Sequence, residues 1–165
     1  MKRLIPFAAL SFAVLALMAS VPAAIAQTAD ITSIAKLFQQ AKIHAAEANY
    51  DAALLDSFGH SDMDWRAHAK CLTNIKEHAN DLFEDYYQLQ RIRDKGTPEQ
   101  REVIDRLEPL LRDMGTSLTN TIQTLNLHQG RVHMPSFRTN IHADYVAINK
   151  VYELLCACTN KNFKA

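Results

Sequence analysis

The chain carries four segments in which apolar side chains recur every three or four residues, the spacing that places them on one face of an α-helix. The segments span residues 29–58, 62–95, 98–127 and 136–158. Short connections force consecutive helices to run in opposite directions. The pattern predicts an all-α, antiparallel four-helix bundle with up-down-up-down topology. A different order of the same helices stays open, because the pattern determines the buried faces better than the neighbours.

The helix ends are marked by capping residues. Ser61 is the predicted N-cap of the second helix. Thr97, Pro98 and Gln100 form the pattern of a capping box, with Thr97 as N-cap and Gln100 reaching back from the third helical position. Pro109 lies inside the third helix and lacks the amide hydrogen that the helix needs, so we expect a bend near that residue.

Two of the predicted helices carry unusual faces. Much of the inward stripe of the first is alanine, which allows a neighbouring helix to approach closely. The third has no charged residue from Met114 to Gln129, and Gly115 lowers its helix propensity. This uncharged face predicts a surface for a homo-oligomer or a protein partner, with a plain neutral surface as the alternative. Its outward residues are Thr116, Thr119, Asn120, Gln123 and Thr124.

The N-terminus has the three parts of a secretory signal peptide. Lys2 and Arg3 precede an apolar stretch, and small residues around Ala24 and Ala26 suit cleavage before Gln27. We therefore expect a leader over residues 1–26 and one domain over 27–165, located in the periplasm or secreted. An uncleaved membrane anchor is the weaker alternative. After cleavage no membrane attachment is expected.

Charge excludes one large class of partner. The leader holds two of the 18 basic residues and none of the 18 acidic ones, so the remaining chain has a net charge of −2. A nucleic-acid-binding domain needs a basic face, and this balance argues against one.

Histidines gather at one end of the predicted bundle. The topology places His60 in the first loop, with His128 and His133 at the same end. Neutral imidazole with thiolate or carboxylate suits copper or zinc, so one hypothesis is a transition-metal site. Alternatives are a pH-responsive cluster and histidines with no special role. The candidate ligands are His60, His68, Cys71, His128, His133 and His142.

The cysteines are not expected to form a disulfide that holds the core together. The predicted helices place Cys71 and Cys156 at different heights, beyond the roughly 7 Å Cα separation that a disulfide tolerates. Cys156 and Cys158 remain as a thiol pair near the C-terminus, open to intermolecular pairing or to a metal.

No catalytic motif is visible along the chain, which lacks a haem-attachment pattern, a di-iron pattern and a phosphate-binding loop. The sequence therefore favours a structural, interaction or binding module over an enzyme. The alternatives are a periplasmic copper- or zinc-binding or pH-responsive protein, and a binder of a small ligand in the bundle core.

Overall fold

A computed structural model of the protein describes residues 23–58 and 64–162. Over these residues it contains four α-helices and no strand, which confirms the all-α prediction. Two short 3₁₀ turns, Arg93–Lys95 and Gln129–Arg131, lie in the connections. The helices are α1 (Ala23–Phe58), α2 (Trp65–Arg91), α3 (Pro98–Leu127) and α4 (Pro135–Asn162).

The start of α2 differs from the prediction. Its N-cap is Asp64, whose side chain accepts a hydrogen bond from the backbone N–H of Ala67 at 2.9 Å. Ser61 as the N-cap is therefore wrong, and Ser61 itself lies outside the described residues. An aspartate caps as well as a serine and also favours the positive end of the helix dipole. The helix ends at Arg91, four residues earlier than expected, because Ile92 leaves helical geometry.

The capping box of α3 is confirmed. The Thr97 hydroxyl accepts from the N–H of Gln100 at 3.2 Å, and Oε1 of Gln100 accepts from the N–H of Thr97 at 2.9 Å. The helix continues through Pro109 to Leu127. Sequence alone thus located this boundary to the residue.

Each helix packs against two neighbours, α1 on α2 and α4, and α3 likewise on α2 and α4. Contacts between α1 and α2 join His44 to Asp85 and Asp51 to His78, so the two helices run antiparallel. Arg93, in the 3₁₀ turn that follows α2, donates a hydrogen bond to Asp105 of α3. Phe83 of α2 lies at the height of Gly115 of α3. Of the four interfaces, the one between α2 and α3 has the least extensive contact.

Between Phe38 and Leu55, the buried face of α1 consists of alanine side chains. Four alanines of this helix are buried, and larger residues from the other helices fill the space in front of them. A side chain of one carbon lets helix backbones approach more closely than leucine does. The row consists of Ala41, Ala45, Ala48 and Ala52.

The buried faces are less apolar than the pattern suggests. Five polar side chains are buried: His68, Asp85, Gln100, Thr121 and Asp144. Asp144 accepts a hydrogen bond from Ser117 through Oδ1 at 2.5 Å, while its buried Oδ2 has no partner. Burial raises the pKa of Asp144 because the charged carboxylate loses its hydration.

The predicted leader falls largely on residues 1–22, outside the described part of the chain, and its cleavage stays a prediction. Helix α1 begins at Ala23, so its first turn includes the expected cleavage position. In residues 23–58 and 64–162, the apolar stretches of the helices are too short to span a bilayer.

Candidate functional site

A groove of about 770 Å³ lies along the thin interface between α2 and α3. We call it the α2–α3 groove. Its volume falls within the range of small-molecule sites in proteins, roughly 300–1,000 Å³. It is lined by Phe83, Tyr86, Tyr87, Gln90, Glu108, Leu111, Arg112, Gly115, Thr116, Thr119 and Asn120.

Aromatic side chains from α2 form one wall of the α2–α3 groove. Tyr86 is buried and Phe83 packs against the core, whereas Tyr87 is 60% exposed beside them. The Tyr86 and Tyr87 rings lie 5.9 Å apart between centroids. The spacing of apolar residues in the second segment predicts that Phe83 and Tyr86 face inward. It missed Tyr87, for which the only signal is an aromatic residue directly after a buried one.

Gly115 sets the distance between the two walls. A β-carbon at this position would lie 3.2 Å from Cζ of Phe83, closer than ordinary van der Waals contact. The missing side chain lets the ring approach the α3 backbone. The sequence raised the question of what offsets the low helix propensity of Gly115, and this close contact within the chain is one answer.

The charged groups in the lining neutralise each other. Nη2 of Arg112 donates to Oε1 of Glu108 at 2.7 Å, one helical turn away along α3. Burial raises the pKa of Tyr86, and nearby carboxylates, Glu108 among them, add to the rise, so this phenol stays uncharged at neutral pH. The α2–α3 groove therefore carries no net charge.

Hydroxyl and amide groups supply the polar part of the lining. Thr116 and Thr119 donate their hydroxyl protons to the carbonyls of Arg112 and Gly115, which leaves the hydroxyl oxygens available as acceptors. Nε2 of Gln90 donates to the Tyr86 hydroxyl oxygen at 2.5 Å. Such a surface offers a ligand a few hydrogen bonds between apolar rings.

Only part of the predicted partner face on α3 lies in the α2–α3 groove. Thr116, Thr119 and Asn120 line the α2–α3 groove, whereas Gln123 and Thr124 lie one turn further along, outside its lining. Thr124 also donates its hydroxyl proton to a backbone carbonyl of its own helix. Binding of a second copy or another protein by this face stays a prediction.

A second groove, between α3 and α4, has a different character. It measures about 580 Å³ and its lining includes Glu99, Glu102, Arg106, Lys150 and Glu153. Five charged side chains over a smaller space make it a hydrated surface cleft. The contrast singles out the α2–α3 groove as the aromatic, neutral one.

The predicted ligand histidines that the structure describes have different surroundings. His68 is buried, donates from Nδ1 to the Asp64 carbonyl at 2.9 Å and packs edge-on against Phe137. His128 and His133 are exposed, and His60 lies outside the described residues. His142 contacts Asp56 of α1 at 3.1 Å.

No three His, Cys, Asp or Glu side chains among the described residues are placed to hold one metal ion. Cys71, three residues after His68, packs at the edge of the core, where burial and then Asp51 raise the pKa of its thiol. A raised pKa disfavours the thiolate that metal ions prefer. With His60 undescribed, the copper or zinc site stays a prediction.

The two histidines that the predicted cluster left out are paired across the α1–α2 interface. Nδ1 of His44 lies 2.7 Å from Oδ2 of the buried Asp85. His78 lies between two carboxylates of α1, 3.3 Å from Glu47 and 3.6 Å from Asp51. These pairs were not predicted, because the interhelical register that brings them together is not encoded in spacing along one helix.

All three cysteines are unbridged, partly buried thiols. Cys71 lies on α2, whereas Cys156 and Cys158 lie near the end of α4. The hydroxyl of Tyr152 interacts with Cys156, which raises the pKa of that tyrosine. Intermolecular pairing of the C-terminal thiols stays a prediction.

Comparison with known proteins adds no assignment: no family model matches the chain, and no curated protein or solved structure is similar to it. What the molecule does must therefore be argued from its own geometry.

Proposed function

We propose that this chain is an exported binding module, and not an enzyme, that holds a neutral small molecule with a planar apolar body in the α2–α3 groove. The proposal combines the predicted signal peptide over residues 1–26 with the aromatic, uncharged lining of the groove. Export places the domain in the periplasm or outside the cell.

The observation that carries the proposal is the composition of the walls. Phe83, Tyr86 and Tyr87 offer ring faces and edges, which favour offset-stacked and edge-to-face contacts with another ring. The only full charges, on Glu108 and Arg112, are already paired with each other. The groove therefore offers a charged ligand no unpaired opposite charge.

A binding role is supported over catalysis by what the groove contains. Its lining includes no His, Cys or Asp, and Glu108 is paired with Arg112. A nucleophile with an adjacent general base, the usual basis of acyl or glycosyl transfer, is thus not part of this lining.

Binding of N-phenyl-1-naphthylamine, a neutral planar aromatic whose fluorescence rises in apolar sites, tests the proposal. We expect saturable binding of one probe per chain, with a dissociation constant on the order of 10 µM. Thr119→Asp introduces a charge into the lining and should weaken binding at least tenfold.

Gln123→Asp is the matched control, because it adds the same charge to an exposed position of the same helix outside the groove lining. It should leave the affinity within about twofold of the original. Equal weakening by both substitutions, or no saturable binding at all, would refute the proposed site.

A further inference from the structure

The polar groups of the α2–α3 groove are divided between its two ends. The Tyr86 hydroxyl interacts with Glu108, which precedes Gly115 by about two turns of α3. We call this end of the groove the tyrosine end. The residues that follow Gly115 lie towards the opposite end, beyond the contact with Phe83. We call it the threonine end, and its polar residues are Thr116, Thr119 and Asn120.

At the tyrosine end, the polar groups are already engaged with one another. Nε2 of Gln90 donates to the Tyr86 hydroxyl oxygen at 2.5 Å. Nη2 of Arg112 donates to Glu108 at 2.7 Å. The Tyr86 hydroxyl interacts with the same carboxylate, and an ionised carboxylate only accepts, so the phenol is the donor in that contact. These side chains form one connected chain of hydrogen bonds, with which a ligand at this end would compete.

At the threonine end, the hydroxyl groups have spent their protons on the helix itself. Thr116 donates to the carbonyl of Arg112 at 2.9 Å, and Thr119 donates to the carbonyl of Gly115 at 2.7 Å. A hydroxyl has a single proton to donate, whereas its oxygen also accepts. Towards a ligand the two threonines are therefore acceptors. Asn120 can present either its carbonyl oxygen or its NH₂ group. This end of the groove thus favours a ligand that donates.

We propose that the α2–α3 groove selects, among neutral aromatic molecules, those that carry a hydrogen-bond donor such as a phenolic hydroxyl or an aryl N–H group. The ligand ring lies against the aromatic wall, and its donor reaches the threonine oxygens. This inference rests on the proposed function and adds the chemical class of the ligand. An ether oxygen at the same place would face the lone pairs of the two threonines and gain no hydrogen bond from them.

The pair 2-naphthol and 2-methoxynaphthalene separates the donor from the ring. Both are neutral at pH 7, since a phenol loses its proton only near about pH 10. They differ in whether the oxygen carries a proton or a methyl group. Burial of apolar surface alone favours 2-methoxynaphthalene, which has one more carbon atom. We expect the opposite order, with 2-naphthol bound about fivefold more tightly, the gain that one net hydrogen bond gives.

Equilibrium dialysis of the purified protein against each compound measures the two dissociation constants directly. A variant that combines Thr116→Val and Thr119→Val replaces each hydroxyl by a methyl group of similar size and removes both acceptors. Its aromatic wall is untouched, so both compounds should still bind saturably. The preference for 2-naphthol should fall from about fivefold to about onefold or reverse, because only the apolar contribution remains.

The matched control combines Thr73→Val with Thr124→Val. The hydroxyls of these two exposed threonines also donate to the backbone carbonyl one turn earlier, and neither residue lines the groove. The control should keep the preference of about fivefold. A second variant, Thr116→Ser with Thr119→Ser, retains both hydroxyl groups and should keep most of the preference as well.

Two results would overturn the donor preference and leave the groove as a site for aromatic molecules. One is equal or tighter binding of 2-methoxynaphthalene by the original protein. The other is a preference for 2-naphthol that survives the two valines, because it would then come from the size of the substituent or from another site. If neither compound nor N-phenyl-1-naphthylamine binds saturably, the proposed function itself fails, and the donor preference fails with it.

Discussion

The two interfaces of α2 differ in the size of the side chains that line them. Towards α1, the facing helix presents a row of alanines, and the contact is extensive. Towards α3, the aromatic side chains of α2 stand against the facing helix, and the contact is the thinnest in the bundle. At Gly115 the ring of Phe83 approaches the α3 backbone closely.

Small residues at an interface let two helices pack closely. The close packing leaves no space for a ligand between the helices, and it brings polar side chains that flank the interface into contact. Because the α1 backbone approaches α2, the longer side chains that flank the alanine row can meet across the helices, as His44 does with Asp85. Between α2 and α3 the rings hold the helices apart and leave a groove. Three substitutions test this contrast.

Ala48→Leu should produce the largest effect. Ala48 is fully buried and lies one turn after His44, on the side of α1 that faces α2. Three added carbon atoms in a close-packed space cost about 3 kcal/mol of unfolding free energy. Urea denaturation would measure the loss. Ala157→Leu, at an exposed position of α4, should change it by less than about 0.5 kcal/mol. An equally small loss of unfolding free energy for Ala48→Leu would show that the α1–α2 interface is loosely packed.

His44→Ala should have the next largest effect and make stability depend more on pH. Burial raises the pKa of Asp85, and the hydrogen bond from His44 counteracts that rise. A carboxyl group whose pKa is raised on folding stabilises the fold below its unfolded-state pKa, and this contribution is lost as pH rises through the folded-state value. Without His44 the pKa of Asp85 rises further, so more stability is lost by neutral pH.

Urea denaturation of His44→Ala should therefore show a cost of about 2 kcal/mol at pH 7 and a smaller one near pH 4. His142→Ala serves as the control. It removes a contact of a largely exposed histidine with Asp56, and the expected cost is below about 0.5 kcal/mol. A cost for His44→Ala that is equal at both pH values would mean that Asp85 finds another partner.

Gly115→Ala should have the smallest effect and the opposite sign. Alanine gains up to about 1 kcal/mol of helix propensity over glycine. The new β-carbon would meet the Phe83 ring at 3.2 Å, and the ring can turn into the neighbouring groove. We expect a net gain of about 0.5 kcal/mol in thermal or urea denaturation. A loss above about 1 kcal/mol would show that the α2–α3 interface is as tightly packed as the α1–α2 interface.

Local signals in the sequence predicted the helices well. The capping box at Thr97 and the periodic apolar residues of α3 depend only on neighbours within a turn or two, and the structure confirms them. The start of α2 was missed because Ser61 and Asp64 are both good N-caps. The inward position of Asp85 was missed because the stripe was assembled from apolar residues alone.

The candidate site was predictable only in part. The absence of charge after Met114 pointed to α3, and Thr116, Thr119 and Asn120 do line the α2–α3 groove. The sequence did not predict which residues of α2 form the opposite wall of the groove. The position of Phe83 relative to Gly115 depends on the axial register of the two helices. The predicted cluster that includes His60 stays a prediction, and among the described residues no three-ligand set forms, because neighbouring loops do not determine where side chains point.

By itself, the sequence determined which residues form helices, which face of each helix is buried and where the capping box lies, since these follow from contacts within a few residues. Only the tertiary structure decided that His44 meets Asp85, that His68 packs on Phe137 and that the α2–α3 interface stays open. Those contacts depend on the combined volumes of side chains from two packed helices, and the pattern along one helix does not give that combination.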